Sequence, residues 1–145
     1  MSSTDGTAFA DPATIARVLT GSELWFVVGL SNNRERAAYR VADVLREHGK
    51  AVVPIHPDAP IVEGVQGFAT IGEAAALFGA PDVVDLFVRS DLVGPLVDQA
   101  IAAGATAVWM QLGVIDAAAA ARAEAAHLDV VMDRCPAIEL PKLLA

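Results

Sequence analysis

The sequence predicts an α/β domain with a doubly wound, mainly parallel sheet and helices on both of its faces. Short continuous apolar runs recur, such as Leu24-Trp25-Phe26-Val27-Val28, and each stops at glycine, proline or a polar residue. That is the pattern of strands buried on both sides. Between these runs lie stretches with apolar residues at helical spacing, and strands alternating with helices of about 10–15 residues imply βαβ units. Finally, 54% of the 145 residues are hydrophobic and 29 are alanine. Typical domains are about 45–50% apolar on a set that already counts glycine, so this chain has apolar surface enough to cover a sheet twice.

In chain order, residues 1–10 read as a flexible polar tail and residues 11–145 as one domain without an internal linker. Asp11-Pro12 supplies an N-cap and a proline at the first helical position; Ile15, Val18 and Leu19 share a face, and Gly21 ends the helix. Leu24–Val28 is the first strand. A polar turn over residues 31–36 leads into a helix whose apolar face is read as Ala37, Val41, Val44, Leu45 and His48, with Gly49 as C-cap. Ala51–Ile55 is the second strand, with Pro54 near its end, where a missing N–H is tolerated. Residues 56–72 are rich in proline and glycine; a very short strand near Phe68-Ala69 and a helix over residues 72–78 are expected there. Residues 82–88 form a strand. Leu92, Val93, Leu96, Val97, Ala100 and Ile101 then mark a helix with Gly94-Pro95 in its first turn. Residues 106–110 are a strand, Asp116 caps an alanine-rich helix to about Ala126, and residues 128–132 are the last strand. Right-handed crossovers close these units into one Rossmann-like domain.

Charge narrows the partners. Ten Lys and Arg against eighteen Asp and Glu give a net charge of −8. Such a field repels nucleic acid and anionic lipid at long range, so neither is an expected partner, and an anionic ligand needs a local basic site. The single cysteine, Cys135, can form no internal disulfide, which suits a reducing compartment. The N-terminus lacks the basic and apolar segments of a secretory signal. The longest uncharged stretch, residues 99–115, falls short of the roughly 20 apolar residues of a membrane span. A cytoplasmic protein is expected.

In open parallel sheets, ligands bind outside the carboxyl ends of the strands, where the strand order reverses. The exit of the first strand reads Gly29-Leu30-Ser31-Asn32-Asn33-Arg34, where a dinucleotide fingerprint would carry G-x-G-x-x-G; only the first glycine is present. The backbone N–H groups of the following helix still make an anion site, and Ser31, Asn32 and Asn33 add small polar side chains. Arg34, Arg36, Arg40 and Arg46 place four of the ten basic residues within thirteen positions. This reads either as a phosphate site or as a solvated helix face with Glu35, Asp43 and Glu47 as ionic partners. At the second strand's exit, His56 stands where an NAD site usually places an acid, with Asp58 two residues later. His56 is thus a candidate contact or a simple strand cap.

These segments resemble the small single-domain CoA-binding proteins, whose fold is that of the CoA-binding domain of the succinyl-CoA synthetase α subunit. The matching stretches are Val27-Val28-Gly29-Leu30-Ser31-Asn32-Asn33-Arg34-Glu35-Arg36, Tyr39-Arg40-Val41-Ala42 and Val53-Pro54-Ile55-His56-Pro57. They continue with Val83-Val84-Asp85-Leu86-Phe87-Val88-Arg89, Ala107-Val108-Trp109-Met110-Gln111-Leu112-Gly113 and Val130-Val131-Met132-Asp133-Arg134-Cys135-Pro136. Individually loose, they are specific in this order, and run from about residue 23 to 140. The resemblance implies that the turn over residues 29–34 wraps the CoA phosphates, with Arg40 beside it, and that 3′-phospho-ADP lies near His56 and Pro57. It implies that Phe87, Val88 and Arg89 follow the adenine or pantetheine path, and that Gln111, Leu112 and Gly113 line the next crevice. Two departures stand out: His56 replaces an asparagine usual in the family, and Ala38 a frequent serine.

The other chemistry-bearing residues read as structural. Cys135 after Asp133-Arg134 is either a thiol whose pKa a neighbouring arginine lowers or a small packed residue, and Asp133-Arg134 is expected as an ion pair. His48, His56 and His127 lack metal-ligand spacing. Ser31 lacks the flanks of a nucleophile elbow, and Trp25 and Trp109 read as core. The expected function is binding of coenzyme A or an acyl-CoA without catalysis. An NAD(H)-binding redox-sensor-like module, or one half of an acyl-CoA enzyme completed by a partner subunit, are the alternatives. The alanine-rich helices also admit a homodimer.

Overall fold

The computed structural model describes residues 9–144. In chain order it contains α1 (Pro12–Gly21), β1 (Leu24–Val28), α2 (Ala37–Glu47), β2 (Ala51–Ile55), β3 (Ile61–Val62), β4 (Val65–Gln66), α3 (Ile71–Phe78), β5 (Val83–Leu86), α4 (Ser90–Ala102), β6 (Ala107–Met110), α5 (Ala117–Ala125), β7 (Asp129–Met132) and α6 (Pro136–Leu144). Five strands form a parallel sheet in the order β2-β1-β5-β6-β7, and β3 and β4 form a separate antiparallel hairpin. The sheet grows from β1 to β2 in one direction and from β5 to β7 in the other. The reversal therefore falls between β1 and β5. No helix is long and apolar enough to cross a membrane among the described residues.

Alternation along the strands sends side chains to two cores. Trp25, Val27, Val83, Trp109 and Val131 face α1, α2 and α6, whereas Phe26, Val28, Val84, Leu86 and Met110 face α3, α4 and α5. Trp25 and Trp109 are fully buried, 6.0 Å apart between ring centres, and each indole N–H has an acceptor: Ser22 Oγ for Trp25 and the Arg134 carbonyl for Trp109. Burying each large apolar side chain is worth about 1.5–3 kcal/mol. On the other face, α4 packs against α5, and a Cβ on Gly94 would stand in ordinary contact with Asp116 Oδ2 at 3.4 Å.

Several local expectations change. The first strand and the second match residue for residue, and Asp11 and Asp116 cap their helices through the Thr14 and Ala119 amides, at 3.1 and 3.0 Å. The buried face of α2 is Ala38, Val41, Ala42 and Leu45, because the helix is rotated to seat Tyr39 inward; Ala37 is exposed. Near Phe68 there is only a single bridge to Ile55, and the hairpin β3–β4 lies ahead of it. Helix α4 begins at Ser90, so Pro95 sits in the second turn rather than the first. The proline leaves the carbonyl of Asp91, an exposed residue, without its helical donor. Helix α6 follows the last strand without a counterpart among the expected elements: Pro136 starts it, and it continues through Pro141. The expected tail falls mostly on residues 1–8, which lie outside the described residues; Phe9 and Ala10 pack, and the Met132 amide donates to the Phe9 carbonyl at 2.8 Å.

One residue opposes this packing. Asp85, in the central strand β5, is fully buried between Val27 and Trp109, and neither carboxylate oxygen has a hydrogen-bond partner among the described residues. Burial pushes its pKa well above the ordinary carboxylate value of 3.8, with the Leu86 amide opposing weakly. The folded state thus favours the neutral acid. A carboxyl raised in this way gives its full stability below the unfolded pKa, and that stability is lost as pH rises from there to the folded pKa, at about 1.4 kcal/mol per unit. Asp85→Asn, neutral throughout, is expected to flatten the fall of unfolding free energy above about pH 4 and to be more stable than the parent at pH 8. Urea titrations across that range measure it; parallel curves for both proteins would show that Asp85 does not carry the effect.

Candidate functional site

The carboxyl ends of β1 and β5 are pressed together. Gly29 follows β1 with φ +96°, and a Cβ there would lie 2.6 Å from the Phe87 carbonyl oxygen. Hydrogen bonds fix this approach: the Gly29 amide donates to Ile55 O at 2.8 Å, and the Phe87 amide to Val28 O at 3.0 Å. Leu30, fully buried, anchors the turn from below. Above it, Ser31 Oγ accepts from the Asn33 amide (3.2 Å), Asn33 Oδ1 accepts from the Glu35 amide (3.1 Å), and Arg40 donates to the Glu35 carbonyl (2.9 Å). Ser31, Asn33 and Arg40 therefore shape the turn with their side chains. Asn32 instead donates to Ile61 O of the hairpin at 2.9 Å.

The helix starts at this edge are unequal. Asp11, Thr70 and Asp116 cap α1, α3 and α5 with side-chain oxygens. Helices α2 and α4, which leave the two strands at the reversal, have Arg36 and Arg89 at their N-caps with no side-chain cap bond; α2 has no acid in its first turn, whereas α4 carries Asp91. Uncapped N–H groups and the positive end of the helix dipole attract anions. Arg34 stands beside this opening, its guanidinium 5.3 Å from the Tyr39 ring centre and 3.9 Å from Glu63 Oε2. The Tyr39 hydroxyl donates to the same Glu63 carboxylate, an acceptor that raises the pKa of the phenol. Arg46 lies in the last turn of α2, paired with Asp43 at 2.9 Å, so the arginine cluster divides and only Arg34, Arg36 and Arg40 belong to this edge.

Two clefts flank the reversal and share Val88. The first, about 230 Å3, is lined by Val28, Gly29, Ile55, His56, Pro57, Ala69, Thr70, Ile71, Val88, Leu96 and Gln99. Its His56 accepts from the Asp58 amide through Nδ1 at 3.2 Å and lies 3.8 Å from the Asp58 carboxylate. The second, about 530 Å3, is lined by Arg36, Phe87, Val88, Arg89, Leu92, Gln111, Leu112, Gly113 and Val114. There Arg89 is held by Asp91 through two bonds of 3.0 and 2.6 Å. Gln111 is only 5% exposed, and its Oε1 has no partner among the described residues. The Gly113 amide donates to Asp133 Oδ1 (2.7 Å), and Ser90 Oγ bridges Gly113 O and the Ile115 amide.

The structure thus brings Gly29, His56, Pro57 and Val88 into one cleft and Phe87, Val88, Arg89, Gln111 and Gly113 into the other. Ser31, Asn32, Asn33, Arg34 and Arg40 line neither; the first four form the turn after β1, and Arg40 braces it from α2. Reading the sequence missed Thr70, Leu96 and Gln99, and it missed Glu63, which lies in Ile61-Val62-Glu63-Gly64-Val65-Gln66. Glu63-Gly64 is the two-residue turn of this hairpin, with positive φ at both positions, and as a sequence signal Glu-Gly is weaker than Asn-Gly. The expected Asp133–Arg134 ion pair does not form: Asp133 accepts from Gly113, and Arg134 donates to the Asp133 backbone carbonyl at 2.7 Å. Cys135 is buried among the residues facing α1, α2 and α6. No group of three His, Cys, Asp or Glu that could hold a metal exists among the described residues.

Comparison with known proteins shows the family and the fold. A family model described as a CoA binding domain matches residues 23–141. The chain is 26% identical over 123 residues to the protein YneT of Bacillus subtilis, covering 85% of this chain and 89% of the relative. A solved protein from Pyrococcus horikoshii OT3 is 32% identical with a TM-score of 0.88 and full coverage of both chains. A dinucleotide-forming acetyl-coenzyme A synthetase of Ca. Korarchaeum cryptofilum shares the fold, with a TM-score of 0.66 and 18% identity over 82% of this chain and 27% of that one.

The close approach of β1 and β5 makes position 29 intolerant. Gly29→Ala is expected to lose about 1–3 kcal/mol of stability, since it adds both a backbone contact and a left-handed φ for a Cβ-bearing residue. Urea denaturation reads this, and wild-type stability in the variant would mean that Phe87 yields freely.

Proposed function

The chain belongs to the CoA-binding domain family, and from that premise we propose that it holds coenzyme A or an acyl-CoA at the carboxyl edge of the sheet without performing chemistry on it. The observation that carries this reading is the pair of uncapped helix starts at the strand reversal, beside Arg34 and Arg36 and between two clefts that share Val88. On this reading the diphosphate lies over the turn of residues 29–34, whose amide groups and α2 N-terminus supply donors. The 3′-phospho-ADP half extends past His56 and Pro57. The pantetheine runs the other way, along Phe87, Val88, Arg89, Gln111 and Gly113, where the unpaired Gln111 Oε1 would accept from an amide N–H.

Holding fits this edge better than conversion, because its polar side chains are engaged in shaping it: Ser31 and Asn33 in the turn, His56 with Asp58, and Arg89 with Asp91. The same engagement argues against NAD. A ribose-binding acid is expected at the second strand's exit, and the carboxylate of that turn, Asp58, faces the His56 ring. The alternative of a half-enzyme completed by a partner draws on Leu92, Leu112 and Ile115, each at least 50% exposed at or beside the second cleft.

Thermal unfolding with CoA, acetyl-CoA, NAD and NADH separately tests the proposal. A ligand at 100 times its Kd adds about 2.7 kcal/mol, and a shift with NADH but with no CoA species would overturn it. Arg34→Ala is expected to weaken CoA binding and flatten its salt dependence. His56→Ala is expected to weaken it too, with recovery in His56→Asn; if neither His56 variant changes affinity, His56 only caps its strand.

A further inference from the structure

The hairpin β3–β4 leans on the phosphate turn through three residues. Asn32 Nδ2 donates to Ile61 O at 2.9 Å, the Tyr39 hydroxyl donates to the Glu63 carboxylate, and Arg34 Nη2 lies 3.9 Å from Glu63 Oε2. Asn32, Arg34 and Tyr39 belong to the turn and to the first turn of α2. Glu63 stands at the tip of the hairpin, where it and Gly64 both take left-handed φ, +49° and +79°. The base is rigid. Val62 is fully buried, the Gly67 amide donates to Pro60 O at 2.7 Å, and a Cβ on Gly67 would lie 2.4 Å from that oxygen. Gln66 Nε2 ties the second strand of the hairpin to the Ala59 and Gly67 carbonyls. The fold thus delivers one carboxylate to the exposed cation of the turn.

We propose that Glu63 is an internal competitor for the ligand's phosphate: its carboxylate holds Arg34 when the site is empty, and a bound phosphate takes Arg34 over. This rests on the reading that an anion binds at the turn of residues 29–34, and it adds how that site's affinity is set. A carboxylate and a phosphate oxygen make the same demand on a guanidinium, so both cannot be fully served by the one Arg34. Tyr39 completes the device. Its ring lies under the guanidinium and its hydroxyl holds the carboxylate, so Arg34 keeps a cation–π contact after Glu63 is displaced. The hairpin itself stays seated through Asn32 and Val62, so the exchange needs only side-chain movement.

Calorimetric titration of CoA and of inorganic diphosphate into the full chain, its Glu63→Gln and Arg34→Gln variants and the double variant tests this. Glu63→Gln is expected to bind both probes about two- to five-fold more tightly, the range of an exposed ion pair, and the gain is expected to vanish in the Arg34→Gln background. Glu63→Asn, whose side chain tolerates the left-handed backbone, should show the same gain and serves if Glu63→Gln misfolds. Unchanged or weaker binding in folded Glu63 variants overturns the proposal, as does an equal gain with Arg34 removed, which would be a general charge effect. Tight CoA binding that ignores Glu63 removes the competitor and keeps the CoA reading. A diphosphate gain without CoA binding by any variant does the reverse, and failure of both probes in every variant removes both.

Discussion

The edge of this sheet is organised by a steric constraint: where β1 and β5 leave it, position 29 has no room for a side chain. A Cβ on Gly29 would meet Phe87 at 2.6 Å, because the two strands are direct parallel neighbours at the point where the order reverses. Since the connections run to opposite faces, α2 and α4 begin on either side of this contact, and a cleft opens on each side of Val88. The three capped helices show what the two uncapped ones forgo, for an N-cap side chain is worth about 1 kcal/mol. The donors left open are those that face the reversal.

Much of this was legible in the sequence, and the limits were physical. Strand cores are read well because a parallel sheet covered on both sides needs unbroken apolar runs, as in Leu24–Val28. Strand ends read too long: residues 87 and 88 are apolar, yet they turn away to form the clefts. The α2 face was misassigned by one position, because alanine at both 37 and 38 carries no phase information and only packing decides between them. The turn and the second strand's exit stand out in the sequence because glycine, histidine and arginine are conspicuous there, whereas Phe87, Val88, Gln111 and Gly113 are named by the resemblance alone. Thr70, Gln99 and Glu63 were not, since each reaches the edge through tertiary placement of a crossover rather than through spacing along the chain.

Electrostatics here act locally. The net charge of −8 is distributed so that cations appear beside specific acids: Arg17 with Asp129, Arg122 with Asp98, Arg89 with Asp91. These pairs are exposed and worth about 0–1 kcal/mol each, so the two apolar cores hold the fold and the pairs orient its surface. Asp85 is the opposite case, an acid placed where burial favours its neutral form.

Both border strands of the sheet are covered at their carboxyl ends. At β2, Pro54 carries no N–H, its carbonyl accepts from the Phe68 amide, and Phe68 O accepts from His56. At β7, the Met132 amide is taken by Phe9. A parallel sheet with open borders is a template for adding strands from another chain, the route to aggregation and strand exchange. Here the carboxyl ends of both border strands carry occupied hydrogen bonds, so strand addition by a second molecule is opposed at the same edge where the two clefts open.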